Sequence, residues 1–452
     1  MTLTVKEITQ SRFNSLAAYA RNPRIKSHSV ELEWYESNDG KILGTLIMDL
    51  IDNDYVGILM ARDLNKKYRF ILNVPFENSI KSVRKKLIKK MIESHPNADE
   101  LGVQLDEHPE TMDFFMEILK NSHKKDPDYN LIETNDMYSG AKGIIEPLMR
   151  WYEDIDGNFV EQFQTNGFKQ RLWEIYLFSI FTENDCIFET SHNAPDFLLQ
   201  HIKKLSSFEF CVEATTVNPP QNSNETPQPD LNDRKNNIEL IRNYYPTRYS
   251  GPLTAKLAKK YWEKEHVSGK PLILAICDCQ FKNATSITCD ALPIYLYGLE
   301  QIAHDDGSTT QVQIQNHTWG TKVVPSGFFN LPDSENISAV IAPTCFDIDK
   351  FNRMGLLNGF NTHKYKLRRI YEIGNADTLE IDSIEKILPS KKYSERWDEG
   401  LRVYHNPNAL YPLPQNVLPE ASHFIIKDGK LIIEYFTPPL FSDKTEIIAS
   451  AK

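Results

Sequence analysis

Alternating apolar and polar residues predict a β-meander near the N-terminus. Asp39-Gly40 is a typical hairpin turn, and strand patterns cover residues 30–34, 42–50, 55–61 and 68–72. Ser79 stands where it can cap a helix, in which apolar residues recur every three or four positions from Ile80 to Met91. Residues 1–140 are therefore predicted to form a small α+β module of unknown role.

The pattern that follows is typical of an α/β core. Residues 143–181 are mostly helical in pattern, and strand patterns follow at 186–189, 196–199 and 208–217. A polar, proline-rich stretch at 218–230 indicates a loop or lid. We therefore predict an α/β fold (α+β overall) with a mixed sheet flanked by helices over residues 141–345.

Two further elements complete this prediction. A helix at 253–262 and a buried strand at 272–277 continue the α/β alternation, and another strand pattern covers 337–342. Residues 424–435 predict a hairpin that turns at Asp428-Gly429. Residues 346–452 are assigned to a C-terminal extension packed on the core.

Composition narrows the class of protein. The chain has 452 residues with 40% hydrophobic content, and it contains no apolar run long enough to span a membrane. The N-terminus lacks the apolar stretch of a secretory signal, so we expect a cytoplasmic protein with no membrane partner. The six cysteines form no C-x-x-C pair, which disfavours a zinc site.

The net charge limits how the chain can meet nucleic acid. A formal charge of −11 argues against a protein that coats nucleic acid non-specifically, because such binding depends on basic groups. It leaves room for a local basic surface. The densest basic stretches are 81–90 and 364–369.

Glu174 is the first candidate functional residue. It is one of two polar residues in the ten from 172 to 181, so a helix there must be buried nearly all round, together with the carboxylate. An unpaired buried carboxylate costs several kcal/mol. A metal ion, a raised pKa or an ordinary pairing with an arginine or lysine must compensate for it.

Asp196 and Glu213 are the second and third candidates. Asp196 follows Pro195 at the start of a strand pattern, where it either stands at the sheet edge or belongs to an ordinary Pro-Asp turn. The two-residue period of 208–216 puts Glu213 and Thr215 on one face, and an edge strand with a solvated glutamate would show the same pattern. His192 either borders this site or is an ordinary surface histidine.

These residues occur in a recognisable order: a glutamate on a buried helix, then Pro-Asp at a strand start, then a strand with Glu-x-Thr. The order resembles that of the PD-(D/E)XK nuclease superfamily over roughly residues 167–277. The resemblance implies a restriction-endonuclease-like core that hydrolyses phosphodiester bonds, in DNA rather than RNA, with Mg²⁺ or Mn²⁺. It also implies that Asp196 and Glu213 hold the metal ion, and that Glu174 is a further ligand or orients metal-bound water.

Thr215 departs from the family pattern, which has a lysine at this place. Threonine supplies no positive charge for the transition state, so a cation must reach the site from elsewhere. Lys256 is our candidate, with Lys259 and Lys260 expected on neighbouring positions of the same predicted helix. An ordinary solvated basic face is the alternative for these lysines.

Two other functions remain open. Thr215 makes a catalytically inactive nuclease-fold protein plausible, one that binds nucleic acid or a protein partner. The second is a scaffold or regulatory protein whose terminal regions are the working parts. A prokaryotic defence or repair role and a homo-oligomer are further expectations, the former from the resemblance.

Overall fold

The computed structural model describes residues 3–107, 112–118, 125–154, 157–203, 206–220, 227, 237–282, 284–304, 308–362, 364–375, 380–390 and 392–449. Most of the predicted loop at 218–230 lies outside these residues. No helix among them is long and apolar enough to cross a bilayer.

The N-terminal region is an antiparallel sheet between two helices. Its elements in chain order are β1 (Val5–Ile8), α1 (Gln10–Ala17), β2 (Ser29–Ser37), β3 (Ile42–Asp49), β4 (Tyr55–Arg62), β5 (Tyr68–Glu77), α2 (Ile80–Ser94) and the short α3 (Ala98–Leu101). The five strands pair in sequence order, so the predicted meander is confirmed and extended by β1. Ser79 caps α2 as predicted, accepting a hydrogen bond from the Ser82 amide at 3.4 Å.

The two helices cover opposite faces of this sheet. Val83, Leu87 and Met91 of α2 pack against one face. Phe13 and Leu16 of α1 pack against the other. Helix α1 also contacts the rest of the chain, because the Arg12 guanidinium donates to the Asn358 carbonyl at 2.7 Å.

A mixed sheet of eight strands, flanked by helices, forms the centre of the molecule. Leading into it are α4 (Pro127–Thr134), α5 (Ser139–Trp151), α6 (Phe159–Gln164), α7 (Phe168–Glu183), β6 (Cys186–Glu189), β7 (Phe197–Lys203), β8 (Ser206–Val217), α8 (Tyr245–Leu257) and β9 (Leu272–Asp278). Strands β6, β7 and β8 are antiparallel neighbours, and β8 runs parallel to β9. The mixed α/β architecture predicted from the sequence is confirmed.

The sheet continues with strands from the C-terminal part of the chain. The remaining elements are α9 (Ala284–Tyr297), β10 (Leu299–Ala303), β11 (Thr309–Gln313), β12 (Asn316–Trp319), β13 (Lys322–Pro325), β14 (Ala339–Pro343), α10 (Ile348–Leu357), β15 (Tyr365–Gly374), β16 (Ile381–Leu388), β17 (Leu401–His405), β18 (Ser422–Lys427), β19 (Lys430–Glu434) and β20 (Leu440–Ala449). The strand order is β19-β18-β17-β14-β9-β8-β7-β6. Residues 346–452 therefore supply three strands of the central sheet, including the predicted hairpin, and a separate sheet of order β16-β15-β20.

Both faces of the central sheet are covered. Helix α7 packs on one face, against Phe210, Val212 and Ala214 of β8. Helices α8 and α9 pack on the other face, against Cys211 and Val217 of the same strand. This two-sided burial explains why β9 is apolar along nearly its whole length.

The predicted helix at 253–262 is wrong at both ends. Helix α8 begins at Tyr245, where it continues directly from a π-helical turn at Leu240–Tyr244, so the helical segment starts well before Leu253. It ends at Leu257, and Lys260 takes a left-handed conformation (φ 48°) that a helix cannot continue. Lys259 and Lys260 therefore lie beyond the helix, and Lys260 pairs with Asp333.

Candidate active site

Asp196 and Glu213 lie side by side on neighbouring strands. Asp196 immediately precedes β7, whose first residue pairs with Val212 of β8. The Asp196 amide donates to Glu213 Oε2 at 3.2 Å, and the Ala214 amide donates to Asp196 Oδ2 at 2.7 Å. The Asp196 side chain thus bonds across to the next strand, which an isolated Pro-Asp turn does not require.

Glu213 is held from the opposite side by the segment around the end of α8. Lys256, in the last turn of α8, forms an ion pair with Glu213 Oε1. The Tyr261 hydroxyl donates to the same oxygen at 2.5 Å. Glu213 is only 3% exposed on an interior strand, so the alternative of an edge strand with a solvated glutamate is wrong.

Glu174 approaches from the helix on the other face of the sheet. It is buried in α7 and accepts from the Arg171 guanidinium at 2.8 and 3.1 Å. The Tyr152 hydroxyl donates to it at 3.2 Å. The structure therefore shows the ordinary pairing of a buried glutamate with an arginine, although burial still raises the pKa of Glu174 despite Arg171.

Asp196 lies in the electrostatic field of the other two carboxylates. Loss of solvent around it, and then the charges of Glu213 and Glu174, raise its pKa well above the usual range. The Ala214 amide and Lys256 act in the opposite direction but do not compensate. We refer to Glu174, Asp196 and Glu213 as the carboxylate site.

A cleft of about 640 Å³ leads to this site. Glu174 and Asp196 line it on the core side, and Asn14, Tyr19 and Arg21 line it on the N-terminal side. Tyr19 stacks on Phe178 of α7, with the ring centroids 5.2 Å apart. Asp196 keeps contact with solvent in this cleft, although the surrounding protein removes much of the hydration of its carboxylate, whereas Glu174 and Glu213 are buried.

The oxygen donors of the site suit a hard divalent cation such as Mg²⁺ or Mn²⁺. Asp196 and Glu213 are adjacent, and the raised pKa of Asp196 marks negative charge that a cation would relieve. Among the residues that the structure describes, no three His, Cys, Asp or Glu side chains already surround a common point. Glu213 faces Lys256 and Tyr261, and Glu174 faces Arg171, so Asp196 is the carboxylate of the three that is open to the cleft.

Three contacts at the site were not predicted from the sequence. Arg171 could have been found, because it lies three residues before Glu174 and so shares its side of a helix. Tyr261 carries no such signal, since it lies 48 residues after Glu213 in the chain. His266 accompanies it: its Nε2 lies 2.8 Å from the Ala194 carbonyl, and its ring stacks on His192 at a centroid distance of 3.8 Å.

His266 and Tyr261 come from the same segment as Lys256, just after α8. This segment contacts Glu213 and also the chain that leads into Asp196. It therefore holds both strands of the site from one side, which no local sequence pattern encodes. Comparison of the chain with family models, with curated proteins and with solved structures finds no match.

Proposed function

We propose that this chain is a metal-dependent nuclease of the PD-(D/E)XK type, with a restriction-endonuclease-like core, that hydrolyses phosphodiester bonds in DNA. The proposal rests on two hydrogen bonds, from the Asp196 amide to Glu213 and from the Ala214 amide to Asp196. They bring the Pro-Asp and Glu-x-Thr segments together beside Glu174. A cytoplasmic location and a role in prokaryotic defence or repair belong to the same proposal.

Each residue then has a defined task. Asp196 and Glu213 would hold Mg²⁺ or Mn²⁺, and the ion supplies an activated water and neutralises charge on the phosphate when it is bound. Glu174, held in place by Arg171, would orient water on the cleft side of the metal ion. Lys256 brings the positive charge that Thr215 lacks to the Glu213 side of the site.

The proposal is tested by cleavage of plasmid and single-stranded DNA after removal of bound metal and addition of Mg²⁺ or Mn²⁺. Asp196→Asn and Glu213→Gln should each lower the rate at least about 100-fold, and Glu174→Gln about 10- to 100-fold. Glu209→Gln is the matched control, because Glu209 lies on the same strand but is exposed and paired with Lys270. Absence of cleavage by the unmodified protein, or full activity of both Asp196→Asn and Glu213→Gln, would refute it.

One observation favours a second candidate, a nuclease-fold protein that has lost catalysis and binds nucleic acid or a protein partner. Glu213 and Glu174 each already have a cationic partner in Lys256 and Arg171, and Thr215 occupies the place of the family lysine. Titration calorimetry with Mn²⁺ separates the two. Binding that disappears in Asp196→Asn supports the enzyme, whereas no binding to the unmodified protein supports the inactive form.

A further inference from the structure

The two basic stretches of the sequence differ in how much of their charge the fold neutralises. In the stretch 364–369, Arg369 is fully buried and donates to Asp443 at 2.9 and 3.0 Å. Arg368 of the same strand pairs with Glu446. Both arginines are therefore paired, whereas Lys364 and Lys366 are exposed and make no ion pair with any residue that the structure describes.

Helix α2 has a larger excess of positive charge than the stretch 364–369. It carries six basic residues and one acidic residue, Glu93. Arg84 pairs with Glu33 and Lys86 with Glu77, while Lys89 and Lys90 share Glu93. Lys81 and Lys85 make no ion pair with any residue that the structure describes.

The two unpaired lysines of α2 form a row with Lys89, which shares Glu93 with Lys90. Lys81, Lys85 and Lys89 are four residues apart, so their side chains are neighbours on one exposed face of α2. Like charges at this spacing repel each other and destabilise a helix. A bound polyanion would remove this repulsion.

The position of α2 leaves this face free. The helix buries Val83, Leu87 and Met91 against the five-stranded sheet, and α1 connects the opposite face of that sheet to the core. Residues 1–107 contain 16 Lys and Arg against 15 Asp and Glu, so the excess negative charge of the chain lies in the remainder. The lysine row is thus an electropositive surface on the outer side of a nearly neutral module.

We propose that the lysine row of Lys81, Lys85 and Lys89 binds the phosphate backbone of nucleic acid without sequence preference. The proposal does not depend on the carboxylate site, because phosphate contacts by lysine need no metal ion. A bilayer is a poorer partner, since a helix that lies in a membrane needs its apolar side, and that of α2 is buried in the sheet.

The test is fluorescence anisotropy of labelled single-stranded and duplex DNA in EDTA buffer between 50 and 300 mM KCl. Replacing all three lysines, as Lys81→Gln, Lys85→Gln and Lys89→Gln, should weaken binding at least about tenfold at the lowest salt. The slope of log affinity against log salt should become shallower by about 2 to 3, since each lost duplex contact changes it by about 0.9.

The matched control replaces three exposed lysines in or next to the β16-β15-β20 sheet, as Lys364→Gln, Lys366→Gln and Lys386→Gln, and should leave affinity and slope unchanged. The triple variant Lys81→Arg, Lys85→Arg and Lys89→Arg should retain binding, which separates loss of charge from loss of folding. The proposal is overturned if the unmodified protein does not bind DNA in EDTA, if the glutamine variant keeps its salt slope, or if anionic lipid vesicles bind where DNA does not. If the unmodified protein binds DNA through the lysine row but does not cleave it, the nuclease proposal fails and the lysine-row proposal stands.

Discussion

Two clusters of charged residues differ in how completely carboxylates are matched by cations. In the C-terminal region, Lys350, Arg353 and Arg369 surround Glu395 and Asp443, which we call the ion network. Arg353 donates to both carboxylates at 2.8 Å. Burial acts to raise the pKa values of Glu395 and Asp443, but the cations outweigh it and hold both below the usual range.

The carboxylate site has the opposite balance. Its three carboxylates have two cationic partners, Lys256 and Arg171, and the pKa of Asp196 is raised well above its usual range. Charge that the fold leaves uncompensated costs stability, and strongly shifted pKa values in clefts are typical of functional sites. The ion network is therefore structural in character, and the uncompensated charge of the carboxylate site is what the proposed metal site requires.

The largest expected effect comes from breaking the ion network. Arg353→Leu removes the guanidinium that donates to both Glu395 and Asp443 and leaves their buried oxygens without these bonds, so the free energy of unfolding should fall by about 3–5 kcal/mol. Urea denaturation measures this loss. Arg368→Leu is the control, because its pair with Glu446 is solvent-exposed and should contribute little to stability. Equal losses in the two variants would contradict the assignment.

We expect a divalent metal ion to bind at the carboxylate site and not at the ion network. An ion that binds only the folded protein stabilises it by about 2.7 kcal/mol at 100 times its Kd, so Mn²⁺ should raise the melting temperature of the unmodified protein. Asp196→Asn should abolish this increase, whereas Glu209→Gln should preserve it. An increase that persists in Asp196→Asn would place the metal elsewhere.

Asp278 is an intermediate case, since its buried carboxylate is stabilised mainly by neutral donors. It accepts from the Tyr249 hydroxyl at 3.2 Å and from the Gln280 amide at 3.0 Å. Burial outweighs these bonds and raises the pKa of Asp278 from 3.8 to about 6. Its ionised form is thus less well compensated than that of Glu395.

This shift predicts a pH dependence of stability. The folded protein holds the Asp278 proton more tightly than the unfolded chain, so the stability it contributes is complete below about pH 4 and is lost as the pH rises to about 6. Between pH 4 and 7 the unmodified protein should lose on the order of 2 kcal/mol relative to Asp278→Asn. Unfolding in urea across this range measures it, and Asp428→Asn, in the exposed β18–β19 turn, should follow the unmodified protein.

Local signals made much of the fold predictable. The meander, the Ser79 cap and the hairpin at Asp428-Gly429 depend on residues close in sequence, and the structure confirms all three. The start of α8 was missed because Pro246 and Pro252 suggest a break, although the first is tolerated in a first turn and the second lies inside the helix. That β17, β18 and β19 join the central sheet depends on pairing across long sequence separations, which periodicity does not encode.

The candidate site was predictable to a similar degree. The order of Glu174, Asp196 and Glu213 marked the residues that the fold brings together, because β7 and β8 are adjacent and α7 packs on them. The partners were less predictable. Lys256 was expected as a replacement for the family lysine, and the structure places it on Glu213, but that contact and those of Tyr261 and His266 depend on how the chain returns after α8.

The smallest expected effect is on the free energy of unfolding when one carboxylate charge is removed from the carboxylate site, and its sign should be opposite to that in the ion network. Asp196→Asn in metal-free buffer should stabilise the protein above neutral pH, because it removes a carboxylate whose pKa folding raises. The amide oxygen of asparagine can still accept from Ala214. The gain should stay within about 1 kcal/mol, since Asp196 is exposed in the cleft, and it should vanish as the pH falls and the aspartate is protonated.

Glu395→Gln should do the reverse and destabilise the protein at neutral pH, because folding lowers the pKa of that carboxyl. Urea unfolding of both variants from pH 4 to 8 measures the two signs, and a loss of stability in Asp196→Asn above neutral pH would show that its charge is already compensated.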